Sequence, residues 1–138
     1  MLEEQPDWLS VGIGINDVWR AFGDTPHEAV PIDEYEATLR QLLDQAVGVT
    51  RARLIMMEPY MIEPDLAQPM RHSMDLYRAR FDAVAADYGA ILIPVQAAFD
   101  AVLQYTQPEQ WADDNIHPNP PGHTVIALAF LRALGADL

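Results

Sequence analysis

The sequence predicts an α/β fold in which a parallel sheet lies between two layers of helices, and three observations carry that prediction. Short apolar segments rich in aliphatic residues recur at residues 8–15, 53–58 and 91–95. Between and after them run stretches with apolar residues three and four positions apart. Glycine, proline and capping residues stand at the junctions. Strand, helix, strand, helix, strand, helix is the order of βαβ units, whose parallel strands are buried on both faces.

Residues 8–15 read as a buried strand that ends in a loop at Asn16 and Asp17, because polar groups follow the apolar run at once. Residues 20–32 mix glycine, proline and acidic residues and read as an irregular surface connection. Asp33 then offers a helix N-cap with Glu36 three positions on, as a capping box requires. Tyr35, Leu39, Leu42, Leu43 and Ala46 fall on one face of the helix that follows, and Gly48 is its expected stop. A second strand over 53–58 closes at Pro59, which has no N–H to give to a ladder. Residues 59–72 contain three prolines and read as a non-regular loop. Ser73 is the expected cap of a helix whose apolar stripe is Tyr77, Phe81, Val84, Ala85 and Tyr88, ending at Gly89. A third strand covers 91–95 with Pro94 toward its end, and a shorter helix covers 96–104. Asn119 as N-cap, prolines in the first turn and an apolar run over 125–134 predict a last helix closed by Gly135.

A chain of 138 residues is long enough to bury a core of its own, so residues 1–138 are expected to form one domain. No apolar run approaches the roughly 20 residues that a membrane helix needs. The acidic, turn-forming start lacks the basic and apolar regions of a secretory signal, which points to the cytoplasm. Cysteine is absent, so disulfides, thiolate metal sites and a cysteine nucleophile are excluded together. Covalent catalysis would have to use oxygen. Against 21 acidic residues stand 8 basic ones, scattered along the chain, so nucleic acid and anionic membranes are not expected partners.

Two motifs could carry chemistry. In Gly14-Ile15-Asn16-Asp17, Gly14 allows close backbone approach and the Asn16 carboxamide can donate to a developing oxyanion. An Asn-Asp pair also serves as a simple Asx turn at a strand end. In Asp114-Asn115-Ile116-His117, followed by Pro118, the carboxylate can fold back onto the ring Nδ1–H and leave Nε2 as a general base. A surface turn can hold the same two residues. In open α/β sheets, ligand sites lie beyond the C-terminal ends of the strands, which is where both motifs are expected.

Taken jointly, the motifs resemble those of the SGNH (GDSL-type) hydrolases, and the resemblance covers essentially the whole chain. It implies a flavodoxin-like α/β/α domain of which the N-terminal strands are missing, with the strands read here as the third, fourth and fifth. The family's G-x-N-D block maps onto Gly14, Asn16 and Asp17, and Asn16 helps to build the oxyanion hole. Its D-x-x-H-P block maps onto Asp114 and His117, the acid and base of a triad. The implied reaction is hydrolysis of carboxylic esters, acetyl-type and with carbohydrate or aryl esters as candidate substrates, without a cofactor. The family's G-D-S block, which bears the nucleophilic serine, and its glycine block would both precede Met1. Ser10, within the first strand, and Ser73, a cap, read as structural. The alternative is a degenerate, non-catalytic fragment acting as a binding or self-association module. Its first strand would then present an open edge to a second copy.

Trp19 and Trp111 flank the two motifs and are candidates for lining a substrate pocket, although packing accounts for them equally. His27, His72 and His123 show no helical ligand spacing, so no metal site is expected. Met56, Met57, Met61, Met70 and Met74 are expected to fill gaps around the second strand and its loop.

Overall fold

Strand β2 (Arg53–Met57) is the centre of the sheet because its three middle residues, Leu54, Ile55 and Met56, are all apolar and all buried. A computed structural model describes residues 5–136, so the acidic residues 1–4 of the predicted start lie outside the described residues. Strands β1 (Trp8–Val11) and β3 (Ile91–Ile93) flank β2, both parallel to it, in the order β1-β2-β3. The register sets Trp8 opposite Arg53, whose guanidinium lies 4.5 Å from the indole centroid, and Met57 opposite Ile93. Because successive strand residues point to opposite faces, Leu54 and Met56 enter one core and Ile55 the other. The first core is closed by Tyr35, Leu39 and Leu43 of α2 (Ile32–Val49) and by Phe81, Val84 and Ala85 of α3 (Pro69–Asp87). The second is closed by Val95, Phe99 and Leu103 of α4 (Val95–Leu103) and by Val125 and Ala129 of α5 (Pro120–Ala133). Three layers result, as the alternation of strands and helices requires. Each large side chain hidden this way contributes roughly 1.5–3 kcal/mol relative to its exposed state.

Several boundaries differ from expectation. Strand β1 stops at Val11, and residues 15–22 form helix α1 (Ile15–Phe22) where a strand end and a surface connection were expected. Gly14 makes the break: its φ of 128° lies outside strand geometry. Helix α2 starts at Ile32 behind Pro31, without a capping box from Asp33. Glu36 is instead held by Arg40 and Arg80, at 3.0 and 2.8 Å. The helix runs through Gly48 and ends at Thr50, whose backbone N–H and hydroxyl both donate to the Ala46 carbonyl. Ser73 lies inside α3 and does not cap it. The cap is Gln68, whose side chain accepts the Arg71 N–H ahead of Pro69 in the first turn. Pro94 ends β3 and opens α4. At α5 the expected cap is found, with Asn119 Oδ1 accepting the Gly122 N–H at 3.0 Å.

The outer edge of β1 pairs with no strand among the described residues. Beside it lies a concavity of about 370 Å³ lined by Leu9, Val11, Ile13, Leu39, Leu42 and Leu43 together with Ser10 and Gly12. Trp8 and Leu42 are exposed there. Among the described residues, no helix is long and apolar enough to cross a membrane.

Candidate active site

The loop bearing Asp114 and His117 is closed on itself before it reaches any chemistry. Ala112 bridges to Pro118 in antiparallel fashion, and the Asn119 N–H donates to the Trp111 carbonyl at 2.9 Å. The Asn119 carboxamide reaches back to the Gln110 carbonyl at 3.1 Å while capping α5. Gly122 is required for this packing, since a Cβ there would run into the Trp111 carbonyl oxygen and the Pro118 ring. Within the closed loop, one oxygen of Asp114 accepts the backbone N–H groups of His117 (2.8 Å) and Ile116 (3.2 Å). The other lies 2.6 Å from His117 Nδ1. The hydrogen bond from His117 is the main reason that the Asp114 carboxyl is held below its ordinary range, with the two backbone donors adding to it. An ionised acceptor fixes the hydrogen on Nδ1 and leaves the Nε2 lone pair free on an exposed ring. The loop thereby selects one ring tautomer before anything else meets the imidazole.

The Gly14, Asn16 and Asp17 motif sits at the start of α1. Gly14 is buried beneath the Tyr35 hydroxyl and Pro59, where a Cβ would come within 2.9 and 3.1 Å of them. The same Tyr35 hydroxyl donates to the Ile13 carbonyl at 3.2 Å, so the turn into the helix is pinned from α2. Asn16 is exposed, and its carboxamide makes no hydrogen bond within the described residues. Burial raises the Asp17 carboxyl, an effect opposed by its own backbone N–H and by Arg20. Asn16 and Asp17 line a concavity of about 390 Å³ with Gly12, Ile13, Gly14, Ile15, Arg20, Glu28 and Val30.

An apolar cluster joins the two segments. Val18 of α1 and Ile116 of the loop are buried together with Met61, Met70 and Met74. Three of the methionines expected to fill gaps therefore sit at the seam. Above it, the Trp19 ring stands at 84° to His117 with centroids 6.4 Å apart. Trp111 is elsewhere: its indole N–H donates to Thr106 at 2.8 Å, and the ring packs against the core under α4 and α5. Ser10 lines the β1 concavity and Ser73 lies within α3.

The sequence reading did not single out Gln96, Glu63 or Arg71, yet each ties down backbone beside this loop. Gln96 is wholly buried and bonds both the N–H and the carbonyl of Met61, at 2.8 and 3.0 Å. A glutamine in the otherwise apolar stretch Val95-Gln96-Ala97-Ala98-Phe99 was the one available signal. A buried amide is retained only where its hydrogen bonds are met.

A family model described as the GDSL-like Lipase/Acylhydrolase family matches residues 1–125. The chain is 40% identical over 140 residues to an acetylxylan esterase of Geobacillus stearothermophilus, covering 99% of this chain and 63% of that protein. A crystal structure of an acetylxylan esterase from the same organism superposes with a TM-score of 0.93 at 39% identity, over 99% of this chain and 63% of that one. A crystal structure of an alpha/beta hydrolase enzyme from the metagenome of Lake Arreo, Spain, gives a TM-score of 0.92 at 43% identity, over 98% and 62%. The chain thus spans somewhat under two thirds of the length of these relatives. Further structures of the Geobacillus enzyme are described as catalytic mutants, altered at a serine, at an aspartate, and at a histidine three positions after that aspartate.

Proposed function

Because the chain belongs to the GDSL-like Lipase/Acylhydrolase family, we propose that it carries the base, its orienting acid and an oxyanion donor of a serine esterase acting on acetyl-type carboxylic esters. The observation that carries this reading is the 2.6 Å contact between Asp114 and His117 Nδ1, which leaves Nε2 as a base. The relative's catalytic aspartate and histidine have the same spacing as Asp114 and His117. In the proposed reaction a serine hydroxyl attacks the ester carbonyl while His117 Nε2 takes its proton. Asp114 stabilises the imidazolium, and Asn16 donates to the tetrahedral oxyanion. His117 then returns the proton to the departing alcohol, and water repeats the sequence on the acyl-enzyme. The relative's serine precedes its aspartate by more positions than this sequence has before Asp114, so we assign the nucleophile to residues beyond these 138. The relatives' name favours acetylated sugars as substrate, with Trp19 beside His117 as one wall of the acyl or sugar pocket.

The test is hydrolysis of p-nitrophenyl acetate by the 138-residue chain and its His117→Ala variant. Turnover near the buffer rate in both is expected, since a base and an oxyanion donor have nothing to activate. Robust turnover that His117→Ala abolishes would overturn the assignment of the nucleophile. With a serine-bearing segment joined upstream, turnover is expected to appear. His117→Ala should then lower kcat by on the order of a thousandfold or more, and Asn16→Ala by about a hundredfold.

The outer β1 edge, which pairs with no strand among the described residues and has Trp8 and Leu42 exposed beside it, supports a second reading in which two copies associate there. Light scattering decides it: a monomer at all concentrations rules the association out.

A further inference from the structure

We propose that Asn115 is a positioning residue for Asp114 and His117, and that Gln96 and Glu63 hold it in place through the 59–68 loop. The catalytic meaning of this inference rests on the esterase reading above, whereas its geometry does not. Asn115 separates Asp114 from Ile116 and His117 and adopts the left-handed conformation, with φ of 66°. That conformation lets the chain turn back so that one carboxylate can reach two backbone N–H groups and a ring nitrogen. For a residue other than glycine it costs roughly 1–2 kcal/mol, and asparagine is among the few that adopt it. Something must therefore hold the residue there.

Two hydrogen bonds do so, both from the loop after β2. The Ile62 N–H donates to the Asn115 carbonyl at 2.8 Å, and the Asn115 carboxamide donates to Glu63 Oε2 at 3.4 Å. That loop has no regular structure to fix its own position. Gln96 fixes it by bonding both backbone groups of Met61, and Arg71 fixes it by donating to the Glu63 carbonyl. Gln96 and Arg71 are themselves joined through Asp100, which accepts from both. Gln96 and Arg71 are only 0% and 1% exposed, so their polar atoms have no water to turn to and are costly to leave unpaired. The result is an unbroken chain from the helical layer to the peptide that sets the acid and base. Ile62 gives its N–H to the Asp114 and His117 loop and not to the sheet, which is why the chain ends at the site.

The inference is tested on the 138-residue protein by the low-field NMR signal of the His117 Nδ1 proton. A second readout is the rate at which diethyl pyrocarbonate modifies His117, read by mass spectrometry against His123 in the same sample. Asn115→Ala is expected to lose or broaden the proton signal and to slow His117 modification about fivefold, with His123 unchanged. Asn115→Gly, which keeps the backbone conformation, is expected to restore both to within about twofold of the parent. Glu63→Ala, a partly exposed position that leaves the core intact, is expected to slow modification about twofold. It serves as the deciding variant if Asn115→Ala does not fold. Should His117 behave as in the parent in Glu63→Ala and in whichever Asn115 variants fold, the proposal is overturned. Failure of the esterase reading is seen separately, as an absence of p-nitrophenyl acetate turnover with a serine-bearing segment in place, and leaves these readouts standing.

Discussion

The two sides of the sheet that bear the two motifs are finished to different degrees. Under α4 and α5, Ile93, Val95 and Phe99 are wholly buried, and the loop bearing His117 is tied at Ala112, Asn115 and Asn119. Along β1 and α2, by contrast, Trp8 and Leu42 remain 45% and 50% exposed, and among the described residues the strand has a partner on one side only. Asp114 and His117 thus rest on structure the chain supplies for itself. The segment carrying Asn16 rests on a strand whose outer edge pairs with no strand among the described residues. A strand edge of this kind is where added backbone is received, by pairing with another segment or another copy.

The sharpest way to break this contrast is to remove one apolar side chain from each side. Phe99→Ala is expected to cost about 3–5 kcal/mol, because the cavity it leaves is enclosed by two helices and the sheet. Leu42→Ala should change stability by no more than about 0.5 kcal/mol, since half of that side chain is already in water. Urea unfolding followed by circular dichroism measures both. Comparable losses would mean that the β1 side is covered in solution, and a concentration-dependent midpoint would identify a second copy as the cover.

A second contrast lies in how the closed side answers to pH. Glu58, just past the end of β2, is 6% exposed and accepts the Gln96 N–H at 3.1 Å. Burial is the main cause that pushes its carboxyl up to about 7, helped by Asp82 on α3 and by Asp100 on α4, and opposed by the Gln96 N–H and Arg78. In the unfolded chain a glutamate titrates near 4.3. Between these values the folded protein holds a proton that the unfolded chain has released, so stability falls as pH rises from about 4.5 to about 7 and then levels. A difference of this size corresponds to about 4 kcal/mol across the window. Glu58→Gln, which cannot ionise, should flatten that part of the pH profile of thermal unfolding. A profile with the same slope in the variant would place the dependence on other groups.

How much of this was legible depended on the range of the interactions. Asp114 and His117 could be paired from the sequence because their contact spans three residues, and Asn119 because a cap reads locally. Helix α1 could not, because only Val18 of its eight residues is buried and a single position shows no period. Its opening residues, Ile15-Asn16-Asp17, read equally well as a strand running into a loop. The expected capping box at Asp33 failed because Glu36 had charged partners on its own helix and on α3, and the latter is 44 positions away. The chain of bonds from Gln96 through Met61 and Ile62 to Asn115 was invisible for the same reason. Its links join residues 35 to 53 positions apart, and all of its partners but Gln96 bond through backbone groups, which carry no residue identity.

The smallest expected effect separates the two sides by sign. Both Gly122 and Gly48 lie in helices, and neither has a positive φ, so alanine is acceptable to the backbone at each. What differs is the space. At Gly122 the new methyl group meets the Trp111 carbonyl, which is backbone and bonded to Asn119, so the helix can only move away from the loop it caps. Gly122→Ala is expected to cost about 1–3 kcal/mol and to weaken the low-field His117 signal along with stability. At Gly48 nothing lies within 4 Å, and removing a glycine from a helix lowers the entropy of the unfolded chain. Gly48→Ala should therefore stabilise the protein by about 0.5–1 kcal/mol and leave His117 untouched. Thermal unfolding and NMR on the two variants decide the point. A Gly48→Ala variant less stable than the parent would mean that the exposed end of α2 is packed against something in solution, and the open face would have to be redrawn as an interface.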